Sequence, residues 1–300
     1  MYYLLYGLLY VVSLLPFFIL YGISDFAVFI IYDVMKYRKD VVMNNLDIAF
    51  PEKTKEERKK IARRFYRNLT DTFIESIKMM NISESAFLKR AKFNTEGCNA
   101  IAAKGKNIQF HSGHQFNWEY ANWIVAMKLN IPWIGVYMKI NNPAIDKLFF
   151  KLRSKKGTLL VAAQEFKLRK TEVFTKQYSL GLAADQNAGV PHKAYWLNFF
   201  GKPVPFVTGP DKGAILNNTA VVFVKFIKVK RGYYEFIPTV ITEDGGSLKR
   251  GELTLMYRDF LEETIRQHPD NYLWSHRRWK WEYSDDYANR WIDVNPPGTK

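Results

Sequence analysis

His114 and Glu119 stand five positions apart in the stretch Asn107-Ile-Gln-Phe-His-Ser-Gly-His-Gln-Phe-Asn-Trp-Glu119. A histidine held by a carboxylate is a general base: the acid fixes the imidazole tautomer and stabilises the proton the ring takes up. Such a base acts on a hydroxyl. The surrounding residues suggest how the pair is positioned. Ile108 to Phe110 reads as a buried strand, Ser112-Gly113 as a turn, and Asn117 onward as a helix start. The plainer reading of the same residues is a structural histidine beside a helix cap, with Glu119 on the surface. His111 lies three positions before His114. A metal pair there lacks a third ligand and the H-E-x-x-H spacing, so no metal and no other cofactor is expected.

Three further clusters carry polar chemistry. Lys151-Leu-Arg-Ser-Lys-Lys156 closes a helix expected to begin near Pro143. Cations there complement the helix dipole, and Arg153 also offers a two-pronged grip for phosphate. Gly181-Leu-Ala-Ala-Asp-Gln-Asn187 is an apolar strand ending in Asp185 and Gln186. Strand ends facing a crevice are where α/β folds place functional groups, although Asp and Asn also serve turns. Leu273-Trp-Ser-His-Arg-Arg-Trp-Lys-Trp281 interleaves Arg277 and Arg278 with tryptophans. That pattern suits lipid headgroups, stacked nucleic-acid bases, or a packed terminal strap. Walker A, G-x-G-x-x-G and G-x-S-x-G patterns are all missing, so nucleotide hydrolysis, a dinucleotide cofactor and serine-hydrolase chemistry have no motif to carry them.

The elements around these residues follow from composition and periodicity. The formal charge is +15, from 44 Lys+Arg against 29 Asp+Glu, which favours anionic partners. One cysteine, Cys98, excludes an intrachain disulfide framework and fits a reducing compartment. Tyr2 to Ile31 is apolar, with Asp25 its only formal charge, and is long enough to span a membrane. Lys36, Arg38 and Lys39 follow it, which puts the remainder of the chain on the cytoplasmic side. Pro16 and Asp25 interrupt the run, so a helix embedded without spanning and a buried core hairpin broken at Pro16 are the alternatives. Thr54-Lys-Glu-Glu57 is a capping box. The helix it opens has an apolar face through Ile61, Phe65, Leu69, Phe73 and Ile77, and a basic face through Lys59, Lys60, Arg63, Arg64 and Arg67.

From Phe93 onward, short apolar runs alternate with helical stretches. Strands are expected at 108–110, 133–136, 159–161, 179–183, 221–226 and 233–236, and helices at 118–128, 144–155, 165–175, 210–217 and 252–268. The alternation predicts an α/β fold, a mixed central sheet flanked by helices. The expected organisation is an N-terminal membrane anchor over 1–32, a basic amphipathic helical region over 33–90 and a catalytic domain over 91–294.

Taken in order, several pieces resemble one family. They are Tyr37-Arg-Lys-Asp, Asn44-Asn-Leu-Asp-Ile-Ala-Phe-Pro51, Ile61-Ala-Arg-Arg-Phe-Tyr66, Gly113-His-Gln-Phe-Asn-Trp-Glu119, Ala184-Asp-Gln-Asn187, Phe199-Phe-Gly201, Thr208-Gly209 and Trp274-Ser-His-Arg-Arg278. The set is similar to that of the late lipid A biosynthesis acyltransferases of Gram-negative bacteria, within the wider glycerolipid acyltransferase group that shares an H-x4-D/E element. The resemblance implies transfer of a fatty acyl chain from acyl carrier protein to a hydroxyl of a lipid A precursor, at the cytoplasmic face of the inner membrane. By position it implies His114 as general base and Glu119 as its orienting acid, and it matches Arg153 and Asp185-Gln186 to family elements. With Arg277 and Arg278, these make the expected substrate-binding set. Three other readings stay open on the residues alone: an acyltransferase for another membrane lipid, such as an aminolipid or glycolipid, a membrane-tethered nucleic-acid binder using Arg277, Arg278 and the tryptophans, and a non-catalytic membrane scaffold.

Overall fold

A computed structural model describes residues 2–294, 296 and 297. Nine strands are described: β1 (Ala91–Phe93), β2 (Ile108–Ser112), β3 (Trp133–Tyr137), β4 (Leu159–Ala162), β5 (Ser179–Ala183), β6 (Tyr195–Phe199), β7 (Lys202–Phe206), β8 (Ala220–Lys230) and β9 (Tyr233–Thr242). Seven form one sheet in the order β1-β9-β8-β2-β5-β3-β4, and β6 pairs with β7 separately. Strands β8, β2, β5, β3 and β4 are mutually parallel, while β9 runs antiparallel to β8 and carries β1 parallel to itself.

The helices are α1 (Tyr2–Leu14), α2 (Phe17–Val28), α3 (Lys39–Ala49), α4 (Lys55–Lys78), α5 (Glu84–Leu88), α6 (Glu96–Ala103), α7 (Trp118–Lys128), α8 (Pro143–Ser154), α9 (Phe166–Val173), α10 (Gly209–Asn217) and α11 (Glu252–Gln267). A π-helical turn, Phe29–Val34, extends α2. The fold class is the expected one, because a strand buried on both faces needs helices on both. Along β8, Val221 and Phe223 join the core beneath α11, while Val222, Val224 and Phe226 join the core under α7.

Helix α4 begins as its sequence predicts: the Thr54 hydroxyl accepts from Glu57 N–H, and the Glu57 carboxylate accepts from Thr54 N–H at 2.7 Å. The β6–β7 hairpin has no counterpart among the expected strands. Pro203 and Pro205 in β7 argue against a strand, yet β7 is an edge. Phe200 (φ +52°) and Gly201 (φ +72°) make its two-residue turn, which requires left-handed backbone at both positions.

Residues 2–34 form two helices broken at Pro16 rather than one continuous rod. Phe17–Val34 is the one helix among the described residues long and apolar enough to cross a membrane. It packs along α4.

Candidate active site

Parallel strands that end in register deliver their next residues to one place. Ser112 ends β2 opposite Ala183, which ends β5. Two positions beyond each lie His114 and Asp185. His114 Nδ1 donates to Asp185 Oδ1 at 2.7 Å, and His114 N–H donates to Asp185 Oδ2 at 3.0 Å. The acid is buried, whereas the imidazole side chain is 27% exposed. With Nδ1 bound to the acid, Nε2 is the nitrogen left for a substrate, and no described residue is bonded to it.

The electrostatics suit a base. Burial alone would lower the affinity of His114 for a proton, but the adjacent Asp185 carboxylate and its hydrogen bond more than offset this, leaving the pKa above 6.5. Burial would raise Asp185, yet the imidazole and the His114 N–H hold it down to about 2. His111 behaves differently. It sits in the core, where burial pushes it down to about 3, so it stays neutral at physiological pH. Among the described residues, no three His, Cys, Asp or Glu side chains gather as a metal would require.

The turn carrying His114 is held from several sides. A Cβ on Gly113 would sit 2.8 Å from Leu261 Cδ2 of α11, which explains glycine there. The strap 271–276 fastens the loop: Leu273 N–H donates to His114 O at 3.0 Å and Phe116 N–H to Asn271 O at 3.2 Å. Asn45 of α3 holds the strap in turn, donating to Trp274 O at 2.7 Å. Asn117 caps α7 by accepting from Glu119 and Tyr120 N–H, and its amide donates to the buried Glu75 carboxylate at 2.7 Å.

Tyr257 of α11 was not singled out from the sequence, yet it joins the two strand ends. Its hydroxyl donates to Ser112 O at 2.6 Å and accepts from Ala184 N–H at 3.2 Å. Each bond lies next to a loop that carries one member of the His114–Asp185 pair. We expect Tyr257→Phe to lower turnover about tenfold, for roughly 1–2 kcal/mol of lost stability. Turnover and urea unfolding of the same preparation would check this. A turnover unchanged at reduced stability would deny the tyrosine a positioning role.

The remaining expected residues separate. The carboxylate on the imidazole is that of Asp185, not Glu119, which corrects the expected His114–Glu119 hydrogen bond. Glu119, 2% exposed, instead accepts from Arg153 Nε at 2.9 Å, from Arg153 Nη2 at 2.5 Å and from Trp118 Nε1 at 3.1 Å. The reason lies in direction: Asn117 starts α7, and the second helical residue faces α8, where Arg153 sits. Arg153 is therefore already neutralised, with only Nη1 lacking a partner among the described residues.

Gln186 is half-buried beside Asp185, and Arg277 is exposed. Arg278 is not at the surface as expected. It is 1% exposed, its Nη1 donates to Pro205 O at 3.1 Å, and its guanidinium lies 4.2 Å from the Phe206 ring centre. Two tryptophans of the same motif also turn inward: Trp274 is buried and Trp279 stacks on Phe199, while Trp281 is only partly buried. The motif is thus chiefly a strap, and the Trp274 and Trp279 rings are not open platforms for bases.

Beginning two residues past Asp185 is a cavity of about 480 Å³, lined by Arg38, Arg277, Lys280, His276, Trp281 and residues 187–189. It contains no carboxylate. His276 Nε2 accepts from Asn187 N–H at 3.0 Å, two residues past Asp185, so the cavity and the base share one loop. Burial lowers His276 to about 4.

A family model described as bacterial lipid A biosynthesis acyltransferase matches residues 1–281. The chain belongs to that family. The relatives it resembles are distant. The Escherichia coli K12 lipid A biosynthesis lauroyltransferase is 25% identical over 286 residues, 91% of this chain and 89% of that one. The palmitoleoyltransferase of the same organism and a Shigella flexneri lipid A biosynthesis acyltransferase are each 22% identical over 256 residues, 82% of this chain and 80% of theirs. The protein is therefore an acyltransferase, and the histidine at the open end of its sheet belongs to an enzyme of that class.

Proposed function

We propose that this acyltransferase moves a fatty acyl group from an acyl carrier protein thioester to a hydroxyl of a lipid A precursor, at the cytoplasmic face of the inner membrane. The His114–Asp185 pair, with Nε2 free, is the observation that supports it most. His114 Nε2 takes the hydroxyl proton as the oxygen attacks the thioester carbonyl. The tetrahedral intermediate collapses, the C–S bond breaks, and the departing thiolate takes the proton back from the imidazolium. Asp185 stabilises the imidazolium between these steps. Arg153 Nη1 is the candidate donor for the oxyanion, since the N–H groups of His114, Gln115 and Phe116 are already engaged. Glu119 enters as the acid that fixes Arg153 and Trp118 near the base.

The basic cavity supports a phosphate-bearing acceptor. Arg38, Arg277 and Lys280 have no carboxylate within ion-pair distance among the described residues, so their charge is available to a ligand. Gln186, next to Asp185 in the chain, is proposed as a further polar contact for the substrate. The net charge of +15 favours an acidic carrier protein, whose encounter rate would fall with salt.

The test is acyl transfer by the purified chain, with acceptors that differ only in a phosphate. Arg277→Ala with Lys280→Ala should raise KM for the phosphorylated acceptor about tenfold, and change KM for the donor by less than twofold. Equal losses with the phosphorylated and dephosphorylated acceptors would remove the phosphate role. Lipid A from cells lacking the chain should lose one acyl mass. An unchanged mass spectrum there, together with no transfer in vitro, would remove the lipid A reading.

A further inference from the structure

Helix α2 with its π-helical extension, Phe17–Val34, is long enough to cross a bilayer, but its polar residues are committed elsewhere. Tyr21, Ser24 and Asp25 fall on one face at helical spacing. Tyr21 OH donates to Glu75 at 3.0 Å, and Ser24 OH donates to Asp71 at 2.8 Å. Asp25 accepts from Arg231 Nη2 at 2.9 Å and pairs with Arg67 Nε at 3.3 Å. Arg231 also bonds Asp71, which is fully buried and held by Lys228 as well. The contacts run antiparallel along α4, from Phe17, whose ring lies under Lys78, to Asp33, which pairs with Arg63. At the Pro16 break, the Lys78 ammonium bonds the Ser13 and Leu15 carbonyls that the break leaves open. The opposite face of both helices is apolar and bare: Leu4 is 79% exposed, Phe18 76% and Phe26 65%.

We infer that α1 and α2 do not span the membrane: they lie side-on in one leaflet, with the enzyme seated on their apolar outer face. The segment Phe17–Val34 is about 27 Å long at 1.5 Å per residue. Upright and alone, it would put Asp25 near mid-bilayer without Arg67 and Arg231, and take the Ser24 hydroxyl from Asp71 and the Tyr21 hydroxyl from Glu75. Upright and still docked, it would carry Arg63, Arg67 and Arg231 into hydrocarbon. Side-on, the apolar face enters the acyl boundary to about 5–10 Å, and the cations around it meet headgroups. Arg63, Arg64 and Arg67 of α4 are exposed but each is already in a surface ion pair; Lys60 on the same helix has no ion pair among the described residues and supplies charge complementary to an anionic leaflet. The basic cavity, to which Arg38 contributes just beyond Val34, then stands at headgroup level. The inference rests on the membrane placement and not on the acyl-transfer chemistry.

The test uses the full chain in vesicles of phosphatidylethanolamine and phosphatidylglycerol. Cys98 is buried and is replaced by Ala, and single spin labels are placed through Leu4→Cys, Phe18→Cys and Phe26→Cys. Depth is read by collision with oxygen and with a water-soluble nickel complex. Side-on seating gives three similar, shallow depths. A peptide tag ahead of Tyr2 is expected on the same side of native membranes as the 91–294 domain, cleaved by protease in inside-out vesicles and protected in spheroplasts. Depths that pass from one surface through the centre, or a tag cleaved in spheroplasts, would overturn the inference. Both readouts are independent of activity, so an inactive preparation bears on the proposed function alone.

Discussion

Replacing His114 by Ala is expected to reduce acyl transfer about 10²–10⁴-fold, and to lower the urea midpoint as well, since the buried Asp185 carboxylate loses the imidazole and keeps the backbone N–H of residue 114. The pH dependence is the sharper readout. The base works only with Nε2 unprotonated. Its pKa lies above 6.5 in the folded enzyme, because burial, which lowers it, is outweighed by Asp185. Transfer should therefore rise with pH through a point above 6.5 and be lost below it. In Asp185→Asn the carboxylate is gone and burial remains, so the inflection should move below 6.5. The rate on the plateau should nevertheless drop, about 10²–10⁴-fold, because the amide neither enforces the tautomer nor stabilises the imidazolium. An Asp185→Asn profile that coincides with the wild type would show that this carboxylate does not set the base. A Glu119→Gln profile should keep the wild-type inflection, since Glu119 does not touch the ring.

The second large effect is on stability. Glu119 is almost fully buried and its charge is balanced by Arg153, which is a fifth exposed. Arg153→Ala leaves the carboxylate buried with only the Trp118 indole, and is expected to cost about 3 kcal/mol, the low end for a broken buried pair because water reaches the arginine side. Glu119→Ala should cost less, since Arg153 can turn toward solvent. The double replacement should be more stable than the sum of the two losses predicts, by about 1–3 kcal/mol. Urea unfolding of the four proteins measures this directly. Strict additivity would mean that the two side chains do not act as a pair.

Much of the architecture was legible from residue order. The strands at 108–110, 133–136, 159–161 and 179–183 and the helices that alternate with them were readable because each carries its own period and its own punctuation. The Thr54–Glu57 cap and the Asn117 start of α7 are local features, decided within four residues, and they hold in the structure. The β6–β7 hairpin was not legible. Its prolines oppose a strand locally, and only its edge position tolerates them. Arg278 lies beside Arg277 in sequence and was expected beside it in space, but the strap turns one inward onto Phe206 and leaves the other at the cavity.

Taken by itself, the sequence determined that an imidazole stands at a strand end, that a carboxylate follows it at the start of a helix, and that a second carboxylate, Asp185, ends another strand. Which acid meets the ring was decided only by tertiary structure. Pairing five residues away along the chain is controlled by the direction in which α7 leaves the turn, and that direction sends Glu119 to Arg153. Pairing across 71 residues is controlled by the register of β2 against β5, which aligns Ser112 with Ala183 and so brings His114 and Asp185 together. Register depends on the whole sheet and its two cores, and no local window of residues contains it.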